Sequence, residues 1–380
     1  MSSTEALPGR ARSTSRALRG LGIAAYCIAL LLGFDFVYSN FFCDEDILAR
    51  IYVPQYHHGF APNFAGHNSW GTRRPPFYTD SMGFKDGSVR EVPLTSATRR
   101  ILLIGDSMTE AIGLSFEDSF AGMLQQLGQN STPKTEFLNA GVASYSPSIY
   151  YTKVKSLIEQ GLQVDEVVVF SDLSDVFDEA TGYFCIDDDP RYFAYCKPED
   201  IIKHKRTRKT ILQRNLVIID KLIPIIKVYI RLLRTGGKIT PLSQTDTPKE
   251  AGWTLPGYDV GNAYAPLGVE GGIARSLQNM GKLADFLKQR GIPLWVAVYP
   301  WPPQLEHDDR DSRQIGIWRE FCAENCKGFI DLFPTVFAEK DAHEDWYKRL
   351  FIVGDIHFSA AGNRLIFREV AKRLLGGESR

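Results

Sequence analysis

The sequence predicts an α/β fold built on a doubly wound, mostly parallel sheet, with an N-terminal membrane helix and a helical insertion. Short apolar runs alternate with segments of helical spacing, and one uncharged stretch lies near the N-terminus. The chain has 380 residues, 44% hydrophobic and 23% charged, enough for one large domain with accessory parts. Its net charge of −1 gives no overall field to attract nucleic acid, so we expect no such partner.

The N-terminal segment predicts a membrane anchor. Several arginines in the first 19 residues precede residues 20–38, whose one charged side chain, Asp35, lies near the far end. A span needs about 20 mainly apolar residues, and flanking arginines stay cytoplasmic. We therefore expect a cytoplasmic tail at 1–19, a single-pass signal-anchor at 20–38, and a periplasmic or extracellular remainder. A signal peptide cleaved after Ser39 and a buried soluble helix are the alternatives.

The exported part divides into an irregular extension and a strand-helix domain. Residues 39–98 are rich in Pro, Gly, Asn, Tyr and His, which predicts loops and short strands packed on the domain at 99–380. Runs at 101–105 and 166–170 are typical of central parallel strands. We also predict helices at 116–127, 147–160, 275–289, 314–324 and 360–375, and strands at 136–139, 294–299 and 329–333.

An insertion at about 180–270 interrupts this alternation. Its first part is acidic, whereas residues 203–238 are basic and interleaved with apolar residues. The basic part predicts a helix that lies on an anionic bilayer, or one that packs on the domain with a solvated basic face. We interpret Cys185 with Cys196, and Cys322 with Cys326, as local disulfides, with zinc binding or free thiols as alternatives.

The most informative segment follows the first central strand. Ser107 comes two residues after Gly105, so it projects from the carboxyl edge of the sheet, where such folds place their active sites. The segment 105–110, GDSMTE, resembles the first block of the SGNH/GDSL hydrolase superfamily. The resemblance implies a three-layer αβα fold, esterase or acyltransferase activity, and Ser107 as the nucleophile.

A second segment, GDIHFSAAGN near the C-terminus, resembles the last block of the same superfamily. Residues two apart in an extended stretch point the same way, so Asp355 could orient His357 as the general base for Ser107. The common family spacing is D-x-x-H. The D-x-H spacing here is similar to that of the alginate O-acetyltransferase-like branch.

The oxyanion hole is where the resemblance is incomplete. The family uses the serine N–H, a glycine N–H after the second strand and an asparagine side chain after the third. The matching positions are Ser107, Gly141 and Ser174, so a serine replaces the asparagine. Losing one oxyanion donor typically costs about 10²–10³ in kcat, which allows weak hydrolysis or a different acyl transfer.

Two aromatic-rich groups are weaker candidates for the site. His57, His58 and His67 either form one wall of the cleft or pack over the sheet. The rings of Tyr299 and Trp301 follow a strand, where they either stack on a sugar face or serve packing.

These patterns predict a membrane-anchored extracytoplasmic serine esterase that hydrolyses an ester of O-acyl type on a carbohydrate or lipid. The alternatives are an O-acyltransferase that modifies an exported polysaccharide, with an acyl-donor partner protein, and a non-catalytic glycan-binding derivative. The expected partners are a small-molecule or glycan ester and the membrane. No nucleotide-binding or metal motif occurs in the sequence, so we expect no cofactor and no metal.

Overall fold

The computed structural model describes residues 10–41, 50–71, 73–183, 216–234 and 249–376. The chain divides into two compact units, one formed by residues 1–45 and 204–230 and the other by residues 46–203 and 231–380. The predicted pair of Cys185 with Cys196 and most of the acidic part of the insertion lie outside the described residues.

The elements of both units follow the chain in order. The helices are α1 (Arg10–Phe41), α2 (Ser107–Glu110), α3 (Phe120–Gln129), α4 (Pro147–Glu159), α5 (Asp175–Thr181), α6 (Val217–Arg234), α7 (Gly268–Lys288), α8 (Pro302–His307), α9 (Arg313–Asn325), α10 (Phe333–Ala342), α11 (Trp346–Leu350) and α12 (Ala360–Leu374). The strands are β1 (Arg50–Val53), β2 (His57–Phe60), β3 (Ala65–His67), β4 (Pro76–Thr79), β5 (Lys85–Asp86), β6 (Arg99–Gly105), β7 (Thr135–Asn139), β8 (Glu166–Ser171), β9 (Leu294–Val298) and β10 (Gly328–Asp331).

The second unit is built on one large mixed sheet with the strand order β10-β9-β8-β6-β7-β5-β4-β3. The five strands from β10 to β7 are parallel, and β5, β4 and β3 continue the sheet in antiparallel fashion. This confirms the predicted α/β class and the mostly parallel sheet. The extension does more than pack on the domain, because its short strands lengthen the sheet itself.

The central strands lie in the interior of the unit because their residues are mainly apolar. Every residue of β8 is buried, as are all residues of β6 except the first, because helices cover both faces of the sheet. Helix α7 packs against α4 and α5, and α3 packs against α12. The carboxyl ends of β6, β7 and β8 therefore lie at one edge of a rigid, buried platform.

Two helix starts differ from the sequence-based prediction, for local reasons. Helix α3 begins at Phe120 rather than at residue 116, because Ser119 Oγ accepts the Gly122 N–H and caps the helix there. Helix α7 begins at Gly268, before the predicted residue 275, and its added turns contain three glycines that gave no helical signal.

The first unit contains α1 and the first part of α6. Residues Leu18–Asn40 of α1 are the one described helical stretch long and apolar enough to cross a membrane, with a mean hydropathy of 2.0. A signal sequence would satisfy the same criteria. The helix starts at Arg10, so part of the predicted tail is helical. In the second unit, Cys322 and Cys326 form the expected local disulfide.

Candidate active site

Ser107 stands at the carboxyl edge of the sheet because a glycine lets α2 begin directly there. A Cβ at Gly105 would overlap Thr109 Oγ1 and approach the Phe170 carbonyl oxygen to 2.9 Å, so only glycine permits this close turn. Asp106 caps α2 by accepting the Met108 N–H at 2.9 Å. The serine is thus the first residue of a helix at the end of β6.

His357 reaches Ser107 from the segment that precedes α12. Its Nε2 lies 2.8 Å from Ser107 Oγ, and its Nδ1 lies 2.6 Å from Asp355 Oδ1. The imidazole is 5% exposed, so water competes little for either bond. Ser359 Oγ accepts the N–H groups of Ala361 and Gly362, which fixes the start of α12 beside the histidine. The predicted Ser107, His357 and Asp355 are therefore brought into one hydrogen-bonded chain.

The expectation of an extended D-x-H segment is wrong, although the contact it predicted is present. Residues 353–356 form turns and bends, with Gly354 at φ 81°. Asp355 Oδ1 accepts the backbone N–H of Ile356 at 2.6 Å and that of His357 at 3.2 Å. An aspartate that bonds the backbone of the next residues folds the chain into a tight turn. This turn places the Asp355 carboxylate beside His357 Nδ1, although only one residue separates the two in sequence.

Trp70, from the N-terminal extension, completes the surroundings of Asp355 and was missed by the sequence analysis. Its Nε1–H donates to Asp355 Oδ2 at 2.5 Å, and its ring meets the His357 ring edge-on with centroids 5.2 Å apart. Burial opposes ionisation of Asp355, but the hydrogen bonds from His357 and Trp70 and the charge of His357 lower its pKa. A partner 285 positions away along the chain leaves no periodic or spacing signal.

The two predicted oxyanion donors make other hydrogen bonds in this structure. The Gly141 N–H donates to Asn139 Oδ1 at 3.1 Å. The Ser174 N–H and hydroxyl both donate to Asp172 Oδ1 at 2.7 Å. Ser107, as the first residue of α2, has an N–H without an acceptor in the preceding turn of that helix. The oxyanion role of Gly141 and Ser174 stays a prediction that requires these bonds to give way.

Three buried carboxyl groups lie beneath the serine. Asp106 Oδ2 is 3.2 Å from Ser107 Oγ, and its Oδ1 accepts from Tyr299 at 3.2 Å. Burial, then repulsion from Asp172, raises the pKa of Asp106 well above its ordinary value. Burial, then repulsion from Asp172 and Asp106, does the same for Asp175. The Ser107 hydroxyl therefore has two possible acceptors, Asp106 Oδ2 and the closer His357 Nε2.

The two aromatic residues after β9 are buried and donate hydrogen bonds to these carboxyl groups. Tyr299 is 1% exposed and Trp301 is 3% exposed. The Trp301 Nε1–H donates to Asp172 Oδ2 at 2.8 Å. The packing interpretation therefore holds for both, and stacking on a sugar does not fit their burial.

The three histidines of the predicted group lie in two different environments, and the two buried ones also serve packing. His57 and His58 are buried, with their Nδ1 atoms 2.7 Å apart, and His58 Nε2 lies 3.0 Å from the Ala143 carbonyl oxygen. Burial lowers the pKa of His57 to about 4, so the pair is neutral at pH 7. His67 lies in β3, where it is exposed. Among the described residues, no group of three or more His, Cys, Asp or Glu side chains is placed to hold a metal ion.

Comparisons with known proteins give structural neighbours but no sequence relatives. No protein-family model matches the chain, and no curated protein matches it. Solved structures similar to it include the psychrotrophic esterase EstA from Pseudoalteromonas sp., at 10% identity and a TM-score of 0.37, covering 73% of this chain and 100% of that one.

Two further neighbours are an acetyl xylan esterase, AlAXEase, and AlinE4, an SGNH-hydrolase family esterase. AlAXEase is 14% identical with a TM-score of 0.41, covering 72% of this chain and 99% of that one. AlinE4 is 15% identical with a TM-score of 0.34, covering 74% and 98%. The structural neighbours thus include SGNH/GDSL family proteins. At these identities and scores the likeness concerns fold only, and function has to be argued from the side chains.

Proposed function

We propose that this chain is a serine esterase whose catalytic residues are Ser107, His357 and Asp355. The observation that carries the proposal is the continuous hydrogen-bonded chain from Ser107 Oγ through His357 to Asp355, with links of 2.8 and 2.6 Å. A serine hydroxyl is a weak nucleophile unless a base takes its proton, and an imidazole held by a carboxylate is such a base. Both partners are largely shielded from water, which makes their interaction stronger.

The first half of the reaction follows from this arrangement. His357 Nε2 takes the hydroxyl proton while Ser107 Oγ attacks the ester carbonyl carbon, and the carbonyl electron pair moves to its oxygen. Asp355 stabilises the resulting imidazolium through Nδ1–H. The tetrahedral intermediate collapses, the bond to the leaving alkoxide breaks, and that oxygen receives the proton from Nε2. The acyl group is then bound to Ser107.

The second half repeats these steps with water as the nucleophile. His357 takes a proton from water, the hydroxide oxygen attacks the acyl carbon, and the Ser107 oxygen leaves with the proton from Nε2. The Ser107 N–H is the oxyanion donor best prepared for both halves, because the Gly141 and Ser174 donors are bonded elsewhere before substrate binds. We therefore expect slow turnover on simple esters.

We further propose that α1 anchors the enzyme in a membrane with its N-terminus in the cytoplasm, and that the substrate is an O-acyl ester of a carbohydrate or lipid outside it. The apolar stretch Leu18–Asn40 supports the anchor, and the arginines before it support the orientation. Because one structural neighbour is an acetyl xylan esterase, an O-acetylated glycan is the first substrate to try.

The test is turnover of p-nitrophenyl acetate by the full chain in detergent, with and without added oligosaccharide. Esterase activity predicts acetate release that needs no acceptor and is lost in Ser107→Ala. Product that forms only with the oligosaccharide would assign an O-acyltransferase instead. Absence of both products, with folded protein and persistent glycan binding, would contradict the enzyme proposal and favour a binding role.

A further inference from the structure

Asp35 joins the two helices of the first unit. Its carboxylate accepts the N–H groups of Ile218 and Ile219, each at 2.9 Å, and the Ser39 hydroxyl donates to it at 2.9 Å. The first N–H groups of a helix have no partner within it and attract negative charge. Asp35, although it belongs to α1, is therefore the N-terminal cap of α6. It is fully buried, whereas the adjacent Phe34 is 65% exposed.

Helix α6 has one wide apolar face that the described residues leave uncovered. Its exposed apolar side chains recur at the spacing of a single helix face and are between 36% and 78% exposed: Leu222, Ile223, Ile225, Ile226, Tyr229, Ile230 and Leu233. Lys227 and Arg234, seven residues apart, are exposed along one border of this face, where they follow Ile223 and Ile230 by four positions each. A face of this size is rare on a helix surrounded by water alone.

The position of Asp35 along α1 indicates what covers this face. Asp35 comes five residues before Asn40, the last residue of the apolar stretch, which is about 7.5 Å along a helix. If Leu18–Asn40 crosses the bilayer, α6 starts close to the boundary between acyl chains and headgroups. The exposed apolar surface of α1 needs lipid in the same region. The exposed apolar surfaces of α1 and α6 therefore meet where Asp35 caps α6.

We propose that α6 lies along the membrane surface at the Asp35 end of α1. Its apolar face contacts acyl chains, and Lys227 and Arg234 face anionic headgroups. Amphipathic helices with cationic polar faces bind bilayer interfaces in this way. The proposal rests on the proposed anchoring by α1 and is independent of the esterase chemistry. It gives the protein a second membrane contact, and it requires that α1 is retained, because cleavage after Ser39 would remove the cap.

The test uses the full chain reconstituted in vesicles of phosphatidylethanolamine and phosphatidylglycerol. The photocrosslinking residue p-benzoylphenylalanine replaces Ile226 in the middle of the apolar face, Lys227 on its charged border as the matched control, or Leu30 in α1 as the reference for a spanning helix. After irradiation, lipid adducts are measured by mass spectrometry. We expect adducts at positions 30 and 226, and about fivefold fewer at 227, because the middle of the apolar face reaches acyl chains whereas its charged border lies at the level of the headgroups.

Each other result contradicts the proposal in a different way. Adducts at position 30 with none at 226 would leave the anchor in place and remove α6 from the membrane. Cross-links from 226 to protein would show that this chain or a second copy covers the face. No adducts at 30 would contradict the anchoring itself, and α6 binding with it, while p-nitrophenyl acetate turnover would still report separately on the enzyme.

The role of Asp35 is tested by a pair of variants in the same assay. Asp35→Ala removes the acceptor for both amides, so adducts at 226 should fall about threefold while those at 30 stay unchanged. Asp35→Asn keeps an amide oxygen, and asparagine caps helices well, so it should retain most of the adducts. Equal yields at 226 for wild type and Asp35→Ala would contradict the cap.

Discussion

A buried glutamate at one edge of the parallel sheet and three buried aspartates at the other have pKa values shifted in opposite directions. At the amino edge, Glu166 bonds Arg99 and Trp295 at 2.5 Å each and Lys327 at 3.1 Å. Burial opposes its ionisation, but these hydrogen bonds lower its pKa. At the carboxyl edge, Asp106, Asp172 and Asp175 form no ion pair with Lys or Arg among the described residues, and burial raises the pKa of each.

We interpret this difference as a division of roles, in which the amino edge stabilises the fold and the carboxyl edge holds the residues of the proposed reaction. Removing one partner of a buried ion pair destabilises a fold, whereas grouped buried carboxyl groups with raised pKa values are typical of functional sites. Ser107, His357 and Asp355 also lie at the carboxyl edge, and Asp355 has its tryptophan donor there just as Glu166 has one at the other edge. Matched substitutions at the two edges can therefore separate catalysis from folding.

The largest expected effect is on activity alone. His357→Ala should lower kcat on p-nitrophenyl acetate by about 10⁴-fold, because the serine loses its base. Glu166→Gln at the amino edge should leave kcat within about twofold while lowering the free energy of unfolding by about 1–2 kcal/mol. Steady-state kinetics and urea unfolding of both variants check this. Comparable losses of activity in the two variants would break the distinction between the edges.

The next effect compares two tryptophan donors at the same 2.5 Å distance. Trp70→Phe keeps the ring against His357 but removes the hydrogen bond to Asp355, so kcat should fall about tenfold. Its pH profile should also move, because Asp355 loses a bond that favours its charged form. Trp295→Phe removes the equivalent bond to Glu166 and should change the melting temperature but neither kcat nor its pH profile. An unmoved Trp70→Phe profile would assign Trp70 a packing role only.

The pH dependence of stability should have opposite signs at the two edges. Because the folded-state pKa of Asp175 is raised, the contribution of this group to the stability of wild type falls as pH rises above about 4. Asp175→Asn removes that titration, so the free energy of unfolding of the variant minus that of wild type should increase between about pH 4 and pH 8.

Glu166 gives the matching control. Its pKa is lowered on folding, so its contribution is present above about pH 4.3 and is lost as pH falls further. The cost of Glu166→Gln should therefore shrink on acidification to about pH 3, measured by urea unfolding at each pH. A cost that does not change with pH would show that the cations around Glu166 leave its ionisation unaffected.

The smallest expected effect concerns Ser174. Its hydroxyl donates to Asp172, so Ser174→Ala should change kcat by less than about threefold, whereas removing a working oxyanion donor costs about 10²–10³. Turnover of p-nitrophenyl acetate measures the difference. A fall of 10² or more would show that the hydroxyl turns toward the substrate during the reaction.

The sequence was sufficient for the parts of the molecule that are set by local patterns. Buried strands such as β6 and β8 are short apolar runs, and the start of α12 follows from Ser359 as a cap. The two motif segments led to Ser107 and His357 because each lies directly beside a strand end or a helix start. These features need only neighbouring residues to be recognised.

Contacts between distant segments that belong to no recognised motif could not be predicted. The strands of the extension join the sheet through backbone pairing, which leaves no distinct side-chain pattern in β5 or β3. Trp70 and Asp355 are far apart in sequence, as are Asp35 and the start of α6. The D-x-H contact was predicted from the wrong backbone, because the turn is made by hydrogen bonds of the aspartate itself.

The central claim is that Ser107 is an activated nucleophile, and covalent labelling of the full chain with a fluorophosphonate tests it most directly. The account predicts one labelled peptide, containing Ser107, with labelling lost in both Ser107→Ala and His357→Ala but retained in the amino-edge control Glu166→Gln. Labelling that persists in His357→Ala, or that leaves Ser107 unmodified in folded wild-type protein, would contradict it.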